Sequence, residues 1–220
     1  MRYLRGIVAL AVLLGVPLVH AQTQPGAPFV GMDFLGLQCS GSGGTYGPFD
    51  YTQRASLGKQ LHTVESYHFT SDVESLKRGS TTMLPYGDLA YTLGAWPNHH
   101  RALNAISRYQ MVSSRKGEQL RIPAECWFQR AIQFSPRDAT TRMLYAMHLQ
   151  KVGKLEAARA IYVEALELDS RNIQLHYNYG LLLAAMKNYP EARRHAKIAY
   201  DAEFPLPGLR NQLSRAGHWP

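Results

Sequence analysis

The chain has 220 residues, with 24 Lys and Arg against 16 Asp and Glu, for a formal charge of +8. That length bounds it to one domain or one domain with an extension. The basic residues are scattered and form no dense tract, which favours a solvated basic surface over a nucleic-acid-binding arm.

The first residues read "MRYLRGIVALAVLLGVPLVHAQ". Arg2 and Arg5 form a short basic region, and Gly6 to Val19 is an apolar run interrupted by Pro17. The run is too short for a comfortable membrane span of about 20 residues. Val19-His20-Ala21 places small residues where a signal peptidase reads. Residues 1–21 are therefore expected to be a cleaved signal peptide. The processed product is expected to be soluble and periplasmic, with no membrane span and no lipoprotein cysteine. Loss of the two arginines lowers the formal charge from +8 to +6. Export argues against nucleic acid and leaves acidic proteins, acidic lipids or anionic envelope polymers as complementary surfaces.

Residues 22–95 have a different composition. "LQCSGSGGTYGPFDYTQ" is rich in glycine, tyrosine and turn signals. One short helix is expected from Ser71, an N-cap candidate with Glu74 three residues later, and another from Asp88. The expectation is an irregular extension packing on the C-terminal half of the chain, because Tyr46, Phe49, Tyr51, Tyr67 and Phe69 need burial. Cys39 and Cys126 are the two cysteines, and in an oxidising compartment they are expected to pair. "CSGSGG" lacks the lysine and hydroxyl neighbour of a phosphate-binding loop and is read as a turn beside that disulfide.

"AWPNHHRALNAISRY", Ala95 to Tyr109, contains the adjacent His99 and His100. Two helical metal ligands need i, i+3 or i, i+4 spacing, and adjacent residues point about 100° apart. A metal site here would need distant partners such as His62, His68 or Asp88. Asn98 after Pro97 is the expected N-cap, placing both histidines in a helix's first turn. A metal or catalytic protein centred on His99 and His100 is the alternative reading. The chain has neither a G-x-S-x-G elbow nor a metalloprotease helix motif. No catalytic residue, metal or other cofactor is assigned.

Beyond this stretch the chain is self-similar at a period of 34 residues. "ATTRMLYAMHLQKVGKLEAARAIYVEALELDSRN", Ala139 to Asn172, aligns with "IQLHYNYGLLLAAMKNYPEARRHAKIAYDAEFPL", Ile173 to Leu206. Tyr145 matches Tyr179, Ala146 matches Gly180, Leu149 matches Leu183, Ala158 matches Ala192 and Ala165 matches Ala199. Small residues recur where two antiparallel helices must touch. "ECWFQRAIQFSPRD", Glu125 to Asp138, continues the register backwards, with Phe128 and Ala131 34 residues before Tyr162 and Ala165. Residues 96–138 are thus expected to be an irregular first unit, 139–172 and 173–206 regular units, and 207–220 a capping helix with Leu209 and Leu213 on one face.

These residues resemble the tetratricopeptide repeat family. The family's early tryptophan is Arg142 and His176 here, and its closing proline is Ser170 and Phe204. The resemblance implies an all-α solenoid of helical hairpins, with residues 22–95 as an irregular extension. The "GPFDY" and "PNHHRAL" segments, followed by such repeats, also resemble a group of exported bacterial proteins.

The family resemblance implies a concave groove, lined by the first helix of each hairpin, that holds a protein or peptide. In this register the groove residues are Met143, Leu144, Met147 and Lys151, then Gln174, Tyr177, Asn178 and Leu181. Methionine supplies an adaptable apolar surface. Some family members hold a carboxylate with lysine, asparagine and arginine; here only Asn178 matches, so no such clamp is expected. The functional expectation is a non-catalytic interaction module in the envelope, with an anionic-polymer binder as a further alternative.

Overall fold

A computed structural model of the chain describes residues 26–219; the signal peptide expected at 1–21 lies outside them. Among the described residues the regular structure is helical, apart from one isolated bridge between Met32 and Gln38. The helices are α1 (Gly58–His68), α2 (Ser71–Glu74), α3 (Pro85–Ala95), α4 (His100–Arg115) and α5 (Ala124–Phe134). They continue as α6 (Ala139–Lys151), α7 (Leu155–Leu168), α8 (Ile173–Ala185), α9 (Tyr189–Asp201) and α10 (Gly208–Arg215).

The two regular hairpins, α6–α7 and α8–α9, repeat in detail. Asp138 and Asn172 cap their first helices, accepting from Thr141 N at 3.0 Å and Leu175 N at 3.0 Å. Each first helix ends on a residue in the left-handed region, Gly153 (φ 82°) and Lys187 (φ 61°). The next amide closes the turn, Lys154 N on Leu149 O and Asn188 N on Leu183 O, both at 2.9 Å. Glycine meets this geometry without strain, whereas Lys187 holds its Cβ against it.

Hairpins stack by one repeated aromatic contact. Tyr145 of α6 lies on Phe128 of α5 with centroids 5.3 Å apart, and Tyr179 of α8 lies on Tyr162 of α7 at the same distance. The α10 helix extends this series in shortened form. Leu209 and Leu213 stand 34 residues after Leu175 and Tyr179, and both are fully buried. Leu209 seats on Gly180, where an added Cβ would lie 2.5 Å from its methyl. The α4, α6, α8 and α10 helices therefore neighbour one another along one face, with α5, α7 and α9 behind them. This is an all-α solenoid of tetratricopeptide-type hairpins.

The region before the repeats is more helical than its composition implies. The α1 helix gives little sign of itself in the sequence, because its buried side is narrow: only Val64 of its 11 residues is buried. The expected helix from Ser71 forms, but the residue before it, Thr70, occupies the cap position and makes no side-chain cap bond. Glu74 pairs with Arg101 instead of closing a capping box. The α3 helix starts at Pro85, three residues before Asp88, with proline preset for a first turn. It packs on α1, α2 and α4.

Residues 26–50 form a strap along α5. Cys39 and Cys126 are bonded, with Cα atoms 5.4 Å apart. Arg130, 1% exposed, donates from Nε to Ala27 O at 2.6 Å and from Nη1 to Leu93 O at 2.6 Å. One buried guanidinium thus ties the strap and α3 to α5, and burial without a carboxylate partner pulls its pKa down to about 10. The glycines of "SGSGGTYG" serve close approach: a Cβ on Gly44 would meet Gly94 backbone at 3.2 Å, and one on Gly47 would meet Ala95 O at 2.3 Å.

Candidate functional site

At the head of α4 the sequence expectation needs correction. The N-cap is His99, whose Nδ1 accepts from Ala102 N at 3.1 Å, and the helix begins at His100. Because Nδ1 accepts, Nε2 carries the proton and donates to Glu65 Oε1 at 3.0 Å. His99 is fully buried between Tyr51 and Phe69, and desolvation lowers its pKa despite Glu65. It is a neutral capping side chain. His100 turns the other way and bonds Asp138 Oδ2 at 2.8 Å.

Asn98, displaced from the cap by one residue, becomes a buried joint. Its amide nitrogen donates to Asp50 Oδ1 at 2.8 Å and to Asp138 Oδ2 at 2.9 Å, and its oxygen accepts from Tyr51 N at 2.8 Å. One amide therefore bridges two carboxylates that join the strap, α4 and the α5–α6 turn. Burial would raise the Asp138 pKa, but His100 and Thr141 donate to it and hold it below the usual range.

The other histidines named as distant partners are engaged elsewhere. His62 lies beside Ser66 at 3.3 Å, and His68 bonds Asp88 at 2.9 Å. Asp88 also accepts from the amides of Ser80, Thr81 and Thr82 and from two threonine hydroxyls. These donors overcome burial and hold its carboxyl below the usual range. Among the described residues no group of three or more His, Cys, Asp and Glu side chains is placed to hold a metal ion.

The candidate groove lies on α6 and α8. Four of its expected residues do present surface there: Met147 and Leu181 are half-buried, and Lys151 and Gln174 are exposed. Leu144 is half-buried but packs on the core shared with α4 and α5. Three expected residues are interior. Met143 is 3% exposed and Asn178 9%, with Asn178 Nδ2 placed 3.5 Å from Met143 Sδ. Tyr177 is covered by Phe204, 4.5 Å between centroids, and by the Gly208 backbone at the start of α10. Met143, 34 residues before Tyr177, is buried in the same way, so this register position is interior in both hairpins.

Sequence reasoning missed Arg108 of α4, whose Nη2 donates to Glu74 O. Partial burial, and then the Arg108 guanidinium, lower the Lys151 pKa. No acidic side chain pairs with either cation among the described residues. The α6 surface around Met147 thus has an apolar centre and a positive end. Arg108 stands in the irregular unit, where the 34-residue register breaks, so no repeat position pointed to it.

Comparison with known proteins returns structures alone: no family model matches the chain, and no curated protein matches it. A crystal structure of MamA is 15% identical with a TM-score of 0.46, covering 69% of this chain and 82% of that one. A crystal structure of YrrB, described as a TPR protein with an unusual peptide-binding site, is 17% identical with a TM-score of 0.45, covering 74% of this chain and 86% of that one.

Proposed function

We propose that the protein is a non-catalytic interaction module of the periplasm that docks a peptide or protein on the α6–α8 face. The observation that carries this reading is a half-buried apolar strip on α6 and α8. Met147 and Leu181 are half-buried on the neighbouring helices α6 and α8, and Lys151 and Gln174 of the same helices are exposed. A half-buried apolar strip with uncompensated cations at one end fits a segment with apolar anchors and an acidic group. The periplasmic placement rests on the leader pattern and on the bonded Cys39–Cys126 pair, which suits an oxidising compartment. The non-catalytic reading rests on histidines and carboxylates consumed in structural hydrogen bonds at the head of α4.

A photo-crosslinking residue placed at Met147, and another at Val163 on the opposite helix layer, tests this in the native compartment. The expected result is a discrete adduct from position 147, absent from 163 and lost with Lys151→Glu. Identical adduct patterns from both positions would overturn the groove assignment.

A further inference from the structure

Exposed apolar side chains are distributed unevenly over this molecule. Of the 11 large hydrophobic residues that are exposed among the described ones, six lie on two turns and one helix end along a single edge. Met32, Leu35 and Leu37, at 62%, 72% and 63% exposure, form the tip of the strap. Met83 and Leu84, at 92% and 59%, project from the loop before α3, and Tyr67, at 63%, lies at the end of α1.

Contacts place these features in one row. His68 bonds Asp88, which joins the end of α1 to the loop before α3. Tyr86 Oη, in the first turn of α3, accepts from Ile122 N at 2.8 Å, which brings in the linker between α4 and α5. Arg121 of that linker lines two adjacent depressions, one beside Tyr86 and Gly87 and one beside Leu35 and Leu37. Phe34 then reaches the α6–α7 turn, where Lys154 Nζ sits 4.7 Å from its ring centroid.

Both projecting turns are built rigidly. Asp33 Oδ1 accepts from Leu35 N at 2.9 Å and Leu37 N at 2.8 Å, and the strap is bonded at Cys39. Asp88 clamps the Ser80–Thr82 amides in the same manner. Internal donors hold both carboxylates in place, and those on Asp88 keep it ionised. Arg121 and Lys154 of the row, and Lys77, Arg115 and Lys116 next to it in the chain, form no ion pair among the described residues and outnumber the acidic Asp33, Asp88 and Glu118.

We propose that this edge docks on an anionic phospholipid bilayer surface. Rigid turns carrying leucine and methionine, spaced along one edge and interleaved with unpaired cations, match a flat, deformable, negative target. Apolar tips enter the headgroup boundary while lysine and arginine meet phosphates. A protein partner of ordinary interface size presents a packed apolar core, whereas here the apolar groups stand apart on separate turns. The site is distinct from the α6–α8 groove.

The test is flotation of the whole disulfide-bonded chain with vesicles of pure phosphatidylcholine, or with about a third of it replaced by phosphatidylglycerol. Wild type, Leu35→Asp/Met83→Asp and Arg121→Gln/Lys154→Gln are compared. All chains share one N-terminus, so any contribution of the leader cancels. The expected result is binding to phosphatidylglycerol vesicles that drops about thirtyfold with the cation pair removed and at least about tenfold with the apolar pair removed. Urea midpoints and the Met147 adduct should stay unchanged, which separates this site from the groove. Equal binding of variants and wild type, equal binding to both vesicle types, or an edge that crosslinks a protein without binding vesicles would overturn it.

Discussion

Replacing Asn98 by alanine distinguishes a helix cap from a joint. A capping asparagine lost to alanine costs about 1 kcal/mol. In this structure Asn98 is fully buried and supplies three hydrogen bonds, two of them to the carboxylates of Asp50 and Asp138. Losing it strips a donor from each carboxylate and the acceptor from Tyr51 N, and each buried group left short costs about 1–3 kcal/mol. His100, Ser135 and Thr141 still donate to the same carboxylates, so the lower part of that range applies to each. The expected loss is about 3–5 kcal/mol, read as a lower urea midpoint at unchanged slope. For a chain of this size that corresponds to a thermal midpoint lowered by roughly 6–20 °C.

The pH dependence carries a second signature. With its donors in place Asp138 has a lowered pKa, so its stabilisation is present above the ordinary carboxylate range and is lost as the pH falls through the folded value. Without Asn98 the Asp138 carboxylate protonates more readily, and the gap between variant and wild type narrows toward acid pH. A loss of 1 kcal/mol or less that does not vary with pH would refute the joint and restore the cap.

The repeats supply two further expected outcomes. Lys187 occupies the left-handed turn that Gly153 fills in the preceding hairpin. Lys187→Gly should therefore stabilise the fold by about 0.5–1 kcal/mol in urea titration, strain relief exceeding the added unfolded-state entropy; a destabilised variant contradicts this. His195 is buried with its Nδ1 2.7 Å from His176 Nδ1 and with Arg194 alongside, and burial, then Arg194, lower its pKa to about 4. A base with a lowered folded pKa favours unfolding once the unfolded state takes the proton. Its contribution is thus complete above the ordinary histidine value and is lost as the pH falls from there toward 4. The expected loss between pH 7 and pH 5 is about 2 kcal/mol, absent from the pH profile of His195→Asn; identical pH profiles for the two chains would count against it.

The hairpins were legible in the sequence because their requirements recur. Ala146 and Gly180, Ala158 and Ala192, and Ala165 and Ala199 are small because each marks the same close approach between two helices. Asp138 and Asn172 repeat for the same reason, since each new helix has free amides to satisfy. The capping helix is visible through its opening proline and through Leu209 and Leu213 on one face.

What the tertiary structure alone decided involves residues that meet once. Asn98 meets Asp50 across 48 positions and Asp138 across 40. Phe34 meets Glu125 across 91. Such contacts leave no period, so a local rule makes Asn98 a cap and leaves the strap without a path. The family register puts Met143 and Tyr177 in the groove, and only the packing of the following helix, with Phe204 over Tyr177, shows both to be interior. By itself, the sequence determined which residues form the repeated interface, because one geometry is imposed there more than once. The solenoid's ends and its two candidate surfaces were decided by the folded chain, because each is formed by a single encounter of distant segments.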